Sequence, residues 1–130
     1  GILLPAHEEH HRDTMIASDF VGIVSAKNDP QKMQKAGWNV AKAEHINAPV
    51  FTNFPMTLEC RIIEKIGESP EGYNIVAEIV NVLVDENYLG EDGKPDVEKM
   101  QLITFDPVHL GYIELGKRVG NAFADGRALK

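Results

Sequence analysis

The chain has 130 residues, one ordinary domain's length, and its 43% hydrophobic and 25% charged composition is that of a protein with a core rather than a disordered one. Thirteen Lys and Arg against twenty Asp and Glu leave a net charge of −7, which sets it against phosphate backbones and anionic lipid surfaces, so neither nucleic acid nor membrane is expected as a partner. No apolar run approaches the roughly 18 residues that a membrane span needs, and Cys60, the single cysteine, fits a reducing compartment, most simply the cytoplasm.

In chain order, Ile2 to Leu4 reads as a strand stub closed by Pro5, and the Gly1 start suggests a tag remnant or a cut inside a longer chain. Met15, Ile16, Phe20, Ile23 and Val24 recur at near-helical spacing, predicting a helix from about Glu8 to Val24 with Thr14 and Ser18 on its polar side and Gly22 weakening its last turn. A second helix is signalled by Asp29 as cap, Pro30 at the first helical position, Lys32 and Lys35 in its later half, and Gly37 as its end. Asn39 to Asn53 reads as irregular.

Two long strands follow. Phe54 to Ile66 alternates, with Met56, Leu58, Cys60 and Ile62 on one face and Thr57, Glu59 and Arg61 on the other. Gly67 to Gly72 is the connecting loop, and Tyr73 to Val84 is the return strand. The latter carries apolar residues on both faces, the pattern of a barrel wall that also meets a partner subunit. Asp85 to Pro95 is a polar turn region, Asp96 can cap a short helix through Met100, Val108 to Leu115 is a last strand, and Gly116 to Lys130 is a Gly-rich basic tail. The class is α+β with an antiparallel sheet.

Four constellations bear on chemistry. His7-Glu8-Glu9-His10-His11 satisfies the H-E-x-x-H pattern, but it opens a helix without apolar residues to bury it and lacks a third-ligand signature, so a solvated first turn is the better reading and no metal site is assigned. Cys60 reads as a small buried hydrophobe, its only nearby cation in sequence, Arg61, facing the other way. Lys27-Asn28-Asp29 ahead of the second helix offers an ammonium beside free backbone N–H groups, either an anion site or an ordinary cap. Around one tight turn, Phe105, His109 and Tyr112 either line a pocket for a flat ring or form a core edge with one satisfied histidine.

Taken together, Phe20-Val-Gly-Ile-Val-Ser-Ala-Lys-Asn-Asp29, Ala43-Glu-His-Ile-Asn-Ala-Pro49, Phe54-Pro-Met-Thr-Leu-Glu-Cys60, Ala77-Glu-Ile-Val-Asn81, Ile103-Thr-Phe-Asp-Pro107 and Val119-Gly-Asn-Ala-Phe123 resemble the flavin reductase-like family, which includes flavoredoxins and NAD(P)H:flavin oxidoreductases. The resemblance runs in order from Ile2 to Lys130 and implies an antiparallel FMN-binding split β-barrel with short helices, packed as a homodimer. It also implies that residues 1–130 are the C-terminal two thirds of such a domain, lacking its first barrel strands, either as a fragment or as a naturally shortened relative.

By the same resemblance, Lys27 and Asn28 match positions that contact FMN, and Phe105, with Tyr112 beside it, matches an aromatic position near the flavin ring. The family's usual nicotinamide-side histidine has no counterpart, because Gly72-Tyr73-Asn74 stands in its place and Ala77 replaces a glycine. His109 is the candidate substitute and the one catalytic residue implied. The implied activity is transfer of electrons from NAD(P)H through FMN. The alternatives are a cofactor-free split-barrel module serving structure or flavin storage, and a zinc site at His7 and His11.

Overall fold

A computed structural model describes residues 8–69 and 72–130, with the backbone alone described for 8–13, 68 and 69. The expected strand stub at Ile2–Leu4 and His7 lie outside the described residues. Helix α1 spans Glu8–Ile23 and a single helical turn, α2, spans Lys32–Lys35. Six strands pair into three antiparallel two-stranded ribbons: β1 (Val40–Lys42) with β2 (Pro49–Phe51), β3 (Met56–Ser69) with β4 (Gly72–Val84), and β5 (Ile103–Asp106) with β6 (Gly111–Glu114). Short 3₁₀ turns occupy Glu86–Tyr88 and Asp125–Leu129. The class is α+β and antiparallel, as the sequence predicts, but the barrel is not closed among the described residues.

The first helix carries through Gly22, so that glycine does not end it. Its buried side is not the predicted one. Thr14 and Ser18 are buried, with Ser18 Oγ donating to the Thr14 carbonyl at 2.8 Å, whereas Ile16 and Ile23 face outward. A small hydroxyl residue permits close packing here because Ser18 satisfies its own polar atom on the helix backbone. The helix ends under a clamp: Lys32 Nζ donates to the Val21 and Val24 carbonyls, both at 2.9 Å, so a cation meets the negative end of the α1 dipole.

The second helix starts later than Pro30. Asp29 Oδ1 accepts the Gln31 N–H at 3.1 Å and Oδ2 takes Lys35 Nζ at 2.6 Å, so residues 30 and 31 form a turn and only four residues are helical. Gly37, at φ +69°, ends the segment as expected, in the left-handed region that glycine enters without a Cβ penalty.

Residues 39–53, expected to be irregular, hold the β1–β2 hairpin. Its base is closed by the Thr52 N–H on the Asn39 carbonyl at 3.0 Å and the Asn39 N–H on Asn53 Oδ1 at 2.6 Å. Trp38 packs against Phe51 and Phe54 at centroid separations of 5.1 and 5.0 Å, and this aromatic group anchors the hairpin.

The long β3–β4 ribbon corrects two readings of facing. Register shifts between Glu59 and Cys60 and between Ile62 and Glu64 interrupt the alternation, so the period-2 pattern does not carry along the whole strand. Glu59, assigned to the polar face, is 1% exposed, while Leu58 and Ile62 on the expected core face are open. Cys60 is half-buried rather than buried. Nor is the first part of β4 covered on either side among the described residues, since Gly72–Ile79 are exposed throughout, whereas Val80, Asn81, Leu83 and Val84 are half-buried.

Beyond the ribbon, Asp96 caps a set of turns rather than a helix, its Oδ1 accepting from the Glu98 and Lys99 N–H groups at 3.1 Å each. Met100 is fully buried, and Ile103 nearly so. The predicted last strand is a hairpin instead: residues 107–110 form its turn and β5 pairs with β6 through Phe105↔Tyr112. Among the described residues no helix is long and apolar enough to cross a membrane.

Candidate functional site

The β5–β6 hairpin brings three of the five predicted site residues together. Phe105 and Tyr112 are direct cross-strand partners with centroids 5.9 Å apart in an edge-to-face arrangement. Phe105 stays 53% exposed, leaving ring surface for another flat group. Tyr112 Oη donates to Asp19 Oδ1 at 2.8 Å, which ties the hairpin to α1. That hydrogen bond, with burial and the Asp19 charge adding to it, raises the phenol above its ordinary range and keeps it protonated.

His109 lies on the turn, its ring 83% exposed, with Nδ1 2.8 Å from Asp106 Oδ2. Asp106 Oδ1 accepts the Val108 N–H at 2.9 Å. The His109 contact first, then the Val108 N–H, hold the Asp106 carboxyl below its usual range against the opposing effect of desolvation. An ionised carboxylate only accepts, so the proton between them sits on Nδ1 and Nε2 is the nitrogen free to act. The turn also forces Leu110 to φ +53°, unusual for a branched apolar residue.

Lys27 and Asn28 sit elsewhere, on the turn between α1 and α2. Ser25 organises that turn: its carbonyl accepts the Asn28 and Asp29 N–H groups at 3.0 and 2.9 Å, and its Oγ accepts the Lys27 N–H at 3.2 Å. The backbone donors expected to greet an anion are therefore already engaged, and Asp29 itself occupies the start of α2. What the turn does offer is side chains. Lys27 and Asn28 are both exposed, and the Lys27 ammonium makes no ion pair among the described residues, while Asp29 is satisfied by Lys35. The Lys35 hydrogen bond leads in holding Asp29 ionised at low pH, with desolvation opposing and the Gln31 N–H and the Lys35 charge assisting. No hydrogen bond or ring contact joins Lys27 or Asn28 to the aromatic hairpin among the described residues.

Two features escaped the sequence reading. The buried Glu59 carboxylate accepts the Glu44 and His45 N–H groups at 3.2 and 2.9 Å, and the indole N–H of Trp38 is buried without a hydrogen-bond partner among the described residues. A long-range contact made Glu59 invisible to alternation, whereas Trp38, the chain's one tryptophan, was an available signal. An open groove of about 690 Å³ runs between Gly90–Glu98 and Leu115–Arg118 and includes none of the predicted site residues. Among the described residues no three potential metal ligands cluster, and His7 lies outside them.

With this geometry in place, comparison with solved structures gives a fold match. The chain is 31% identical to the flavoredoxin of Desulfovibrio vulgaris (Miyazaki F), with TM-score 0.80 over 95% of this chain and 62% of that one. Its fold is similar to that of a flavoredoxin. A second, from Methanosarcina acetivorans, is 27% identical with TM-score 0.79 over 98% of this chain and 63% of that one. A candidate flavin reductase with a split barrel domain from Shewanella frigidimarina is 18% identical with TM-score 0.63, covering 84% and 55%, and bears on the fold alone. The chain thus spans less than two thirds of the length of each flavoredoxin it resembles. No protein-family model matches the sequence, and no curated protein matches it.

Proposed function

We propose that this chain is an FMN-binding, flavin reductase-like protein that carries electrons from NAD(P)H onward to an acceptor, working as a homodimer in a reducing compartment, most simply the cytoplasm. The observation that carries this reading is the likeness to two flavoredoxins, at TM-scores of 0.80 and 0.79 over nearly the whole chain. The exposed residues suit the cofactor's two ends. A flat ring system is accommodated by the half-open face of Phe105, with Tyr112 bracing that ring from below through its bond to Asp19. A phosphate is suited by the Lys27 ammonium, which has no ion pair among the described residues, and the Asn28 amide, a charge-assisted pair of donors on an otherwise satisfied turn.

FMN, held by Lys27, Asn28, Phe105 and Tyr112, would supply the redox chemistry between the nicotinamide and the acceptor. The protein's part is to bind and orient. Lys27 offsets negative charge, Phe105 and Tyr112 fix the plane of the ring, and Asp106 fixes the His109 tautomer so that Nε2 faces outward to hold or release a proton. In this reading His109 is the catalytic residue, the candidate substitute for the nicotinamide-side histidine that the chain lacks at Gly72-Tyr73-Asn74.

FMN fluorescence titration of the purified chain tests the proposal. Saturable quenching, with NAD(P)H-dependent bleaching of bound flavin, is the expected result. Unquenched FMN at high micromolar protein would overturn it.

A further inference from the structure

The residues suited to a flavin's two ends stand on separate parts of the chain. Phe105, His109 and Tyr112 belong to the β5–β6 hairpin, and Lys27 and Asn28 to the turn after α1. A side-chain hydrogen bond links these parts. Tyr112 Oη donates to Asp19 Oδ1 at 2.8 Å, across 93 positions of sequence. Asp19 lies one helical turn before Ile23, the last residue of α1, and so leads directly into the Lys27 turn.

The path from Asp19 to Lys27 is stiff. The Val24 N–H continues the helical ladder onto the Phe20 carbonyl at 3.0 Å, and Lys32 Nζ grips the Val21 and Val24 carbonyls at 2.9 Å each. Beyond it the turn is closed on Ser25, whose carbonyl and Oγ together accept the Lys27, Asn28 and Asp29 N–H groups. At helical rise the path from Asp19 to Lys27 covers about 12 Å. A turn closed in this way moves with α1. The place of Lys27 relative to the Phe105 ring therefore follows from how α1 is fixed to the hairpin. At the hairpin end, the Tyr112 ring is the cross-strand partner of Phe105, so a constraint on its hydroxyl is passed to the platform. The bond draws its strength from the charge of its acceptor.

A flavin carries its phosphate at the end of a ribityl tail, away from the ring. A site favours FMN over riboflavin only when its ring platform and its phosphate donor are held at a matching separation, since a mobile pair must be ordered on binding. We infer that Asp19 is a positioning residue which, through Tyr112, holds the Phe105 platform and Lys27 at a fixed separation and so makes the site selective for the phosphorylated flavin. This rests on the flavin reading above and adds to it the residue that couples the ring end of the site to the phosphate end. A carboxylate acting directly on a phosphate would repel it, so an electrostatic role for Asp19 has the opposite sign.

The test compares FMN with riboflavin by fluorescence quenching in the unaltered chain, Tyr112→Phe, Asp19→Ala and Asp19→Asn. Tyr112→Phe keeps the ring against Phe105 and removes only the donor. It and Asp19→Ala are expected to lower the preference for FMN by about tenfold while riboflavin binding stays within about twofold. Asp19→Asn, whose amide oxygen still accepts, should retain most of the preference. In a cycle with Lys27→Ala, the cost of that change in FMN binding should fall from about tenfold to under about threefold once residue 112 lacks its hydroxyl. A merely structural bond would weaken both flavins equally, and that result would overturn the inference, as would an additive cycle or an unaltered chain with no preference for FMN. A preference that rises alike in Asp19→Ala and Asp19→Asn would also overturn it, because the carboxylate would then act as a charge on the phosphate. An unaltered chain that quenches neither flavin removes the flavin reading and this inference with it, whereas flavin binding with an unchanged preference removes this inference alone.

Discussion

The Glu59 carboxylate accepts the His45 backbone N–H at 2.9 Å through the same oxygen that lies 3.2 Å from His45 Nδ1. A buried acid on the long ribbon thereby holds the tip of the β1–β2 hairpin, fourteen positions away in sequence. Burial alone would push this carboxyl up, but the Glu44 and His45 N–H groups, the Asn81 side chain and the nearby imidazole together hold it below the ordinary glutamate range. A depressed folded-state pKa contributes stability above the unfolded value of about 4.3, lost as pH falls through the folded one. Glu59→Ala is therefore expected to lower Tm clearly at neutral pH, and the gap from wild type should narrow below about pH 4, where the wild-type carboxyl protonates too. Thermal melts across pH check this, and an equal deficit at all pH values would contradict it.

At Trp38 size and polarity can be separated. Trp38→Ala removes the partner of Phe51 and Phe54 and should cost about 3–5 kcal/mol. Trp38→Phe keeps most of the ring and deletes a buried donor that has no acceptor among the described residues, a defect of about 1–3 kcal/mol, so its loss should stay under about 1.5 kcal/mol. Urea unfolding of both variants measures the difference.

Leu110 occupies left-handed backbone at φ +53° on an exposed turn. Leu110→Gly removes a conformational cost of about 1–2 kcal/mol and adds roughly 0.5–1 kcal/mol of unfolded-state entropy. A net gain of about 0.5–1 kcal/mol in chemical denaturation is expected. A loss would mean that the turn is held by Leu110 packing instead.

Tyr112 titrates late because its hydroxyl donates to Asp19, with desolvation and the carboxylate charge in support. Asp19→Asn should bring its tyrosinate transition down toward the ordinary value near 10, read by ultraviolet absorbance. The sign is opposite to that of Glu59. A raised folded pKa contributes stability that is present below the unfolded value and is lost as pH rises through the folded one, so wild type should forfeit its advantage over Asp19→Asn only in strong alkali.

Lys27 and Phe105 address the flavin reading from opposite ends. Lys27→Ala should weaken FMN binding by about tenfold or more, the worth of a charged hydrogen bond, and the loss should shrink with added salt. On the proposed reading Phe105→Ala should weaken FMN and riboflavin alike, because both carry the ring, whereas Lys27→Ala should spare riboflavin, which lacks the phosphate. Parallel fluorescence titrations with the two flavins separate the contributions.

Elements built on short-range rules were legible from the residues alone: α1 from the spacing of Met15, Ile16 and Phe20, the end of α2 from Gly37, the first long strand from its alternation and the second from its run of Ile and Val. So was the grouping of Phe105, His109 and Tyr112 around one turn, since a tight hairpin places them by local geometry. Facing was decided only in three dimensions. Thr14 and Ser18 are buried, and the Ser18 hydroxyl is satisfied on its own helix by the Thr14 carbonyl, which only the packed structure shows. Glu59 is buried because the N–H groups of Glu44 and His45 come to it from a distant hairpin, and no local pattern shows an acid that its partners have already paired. The β1–β2 hairpin was illegible for the same reason: its three-residue strands carry too little periodicity to be read, and its order comes from Trp38 packing and the Glu59 carboxylate, both contacts of tertiary structure.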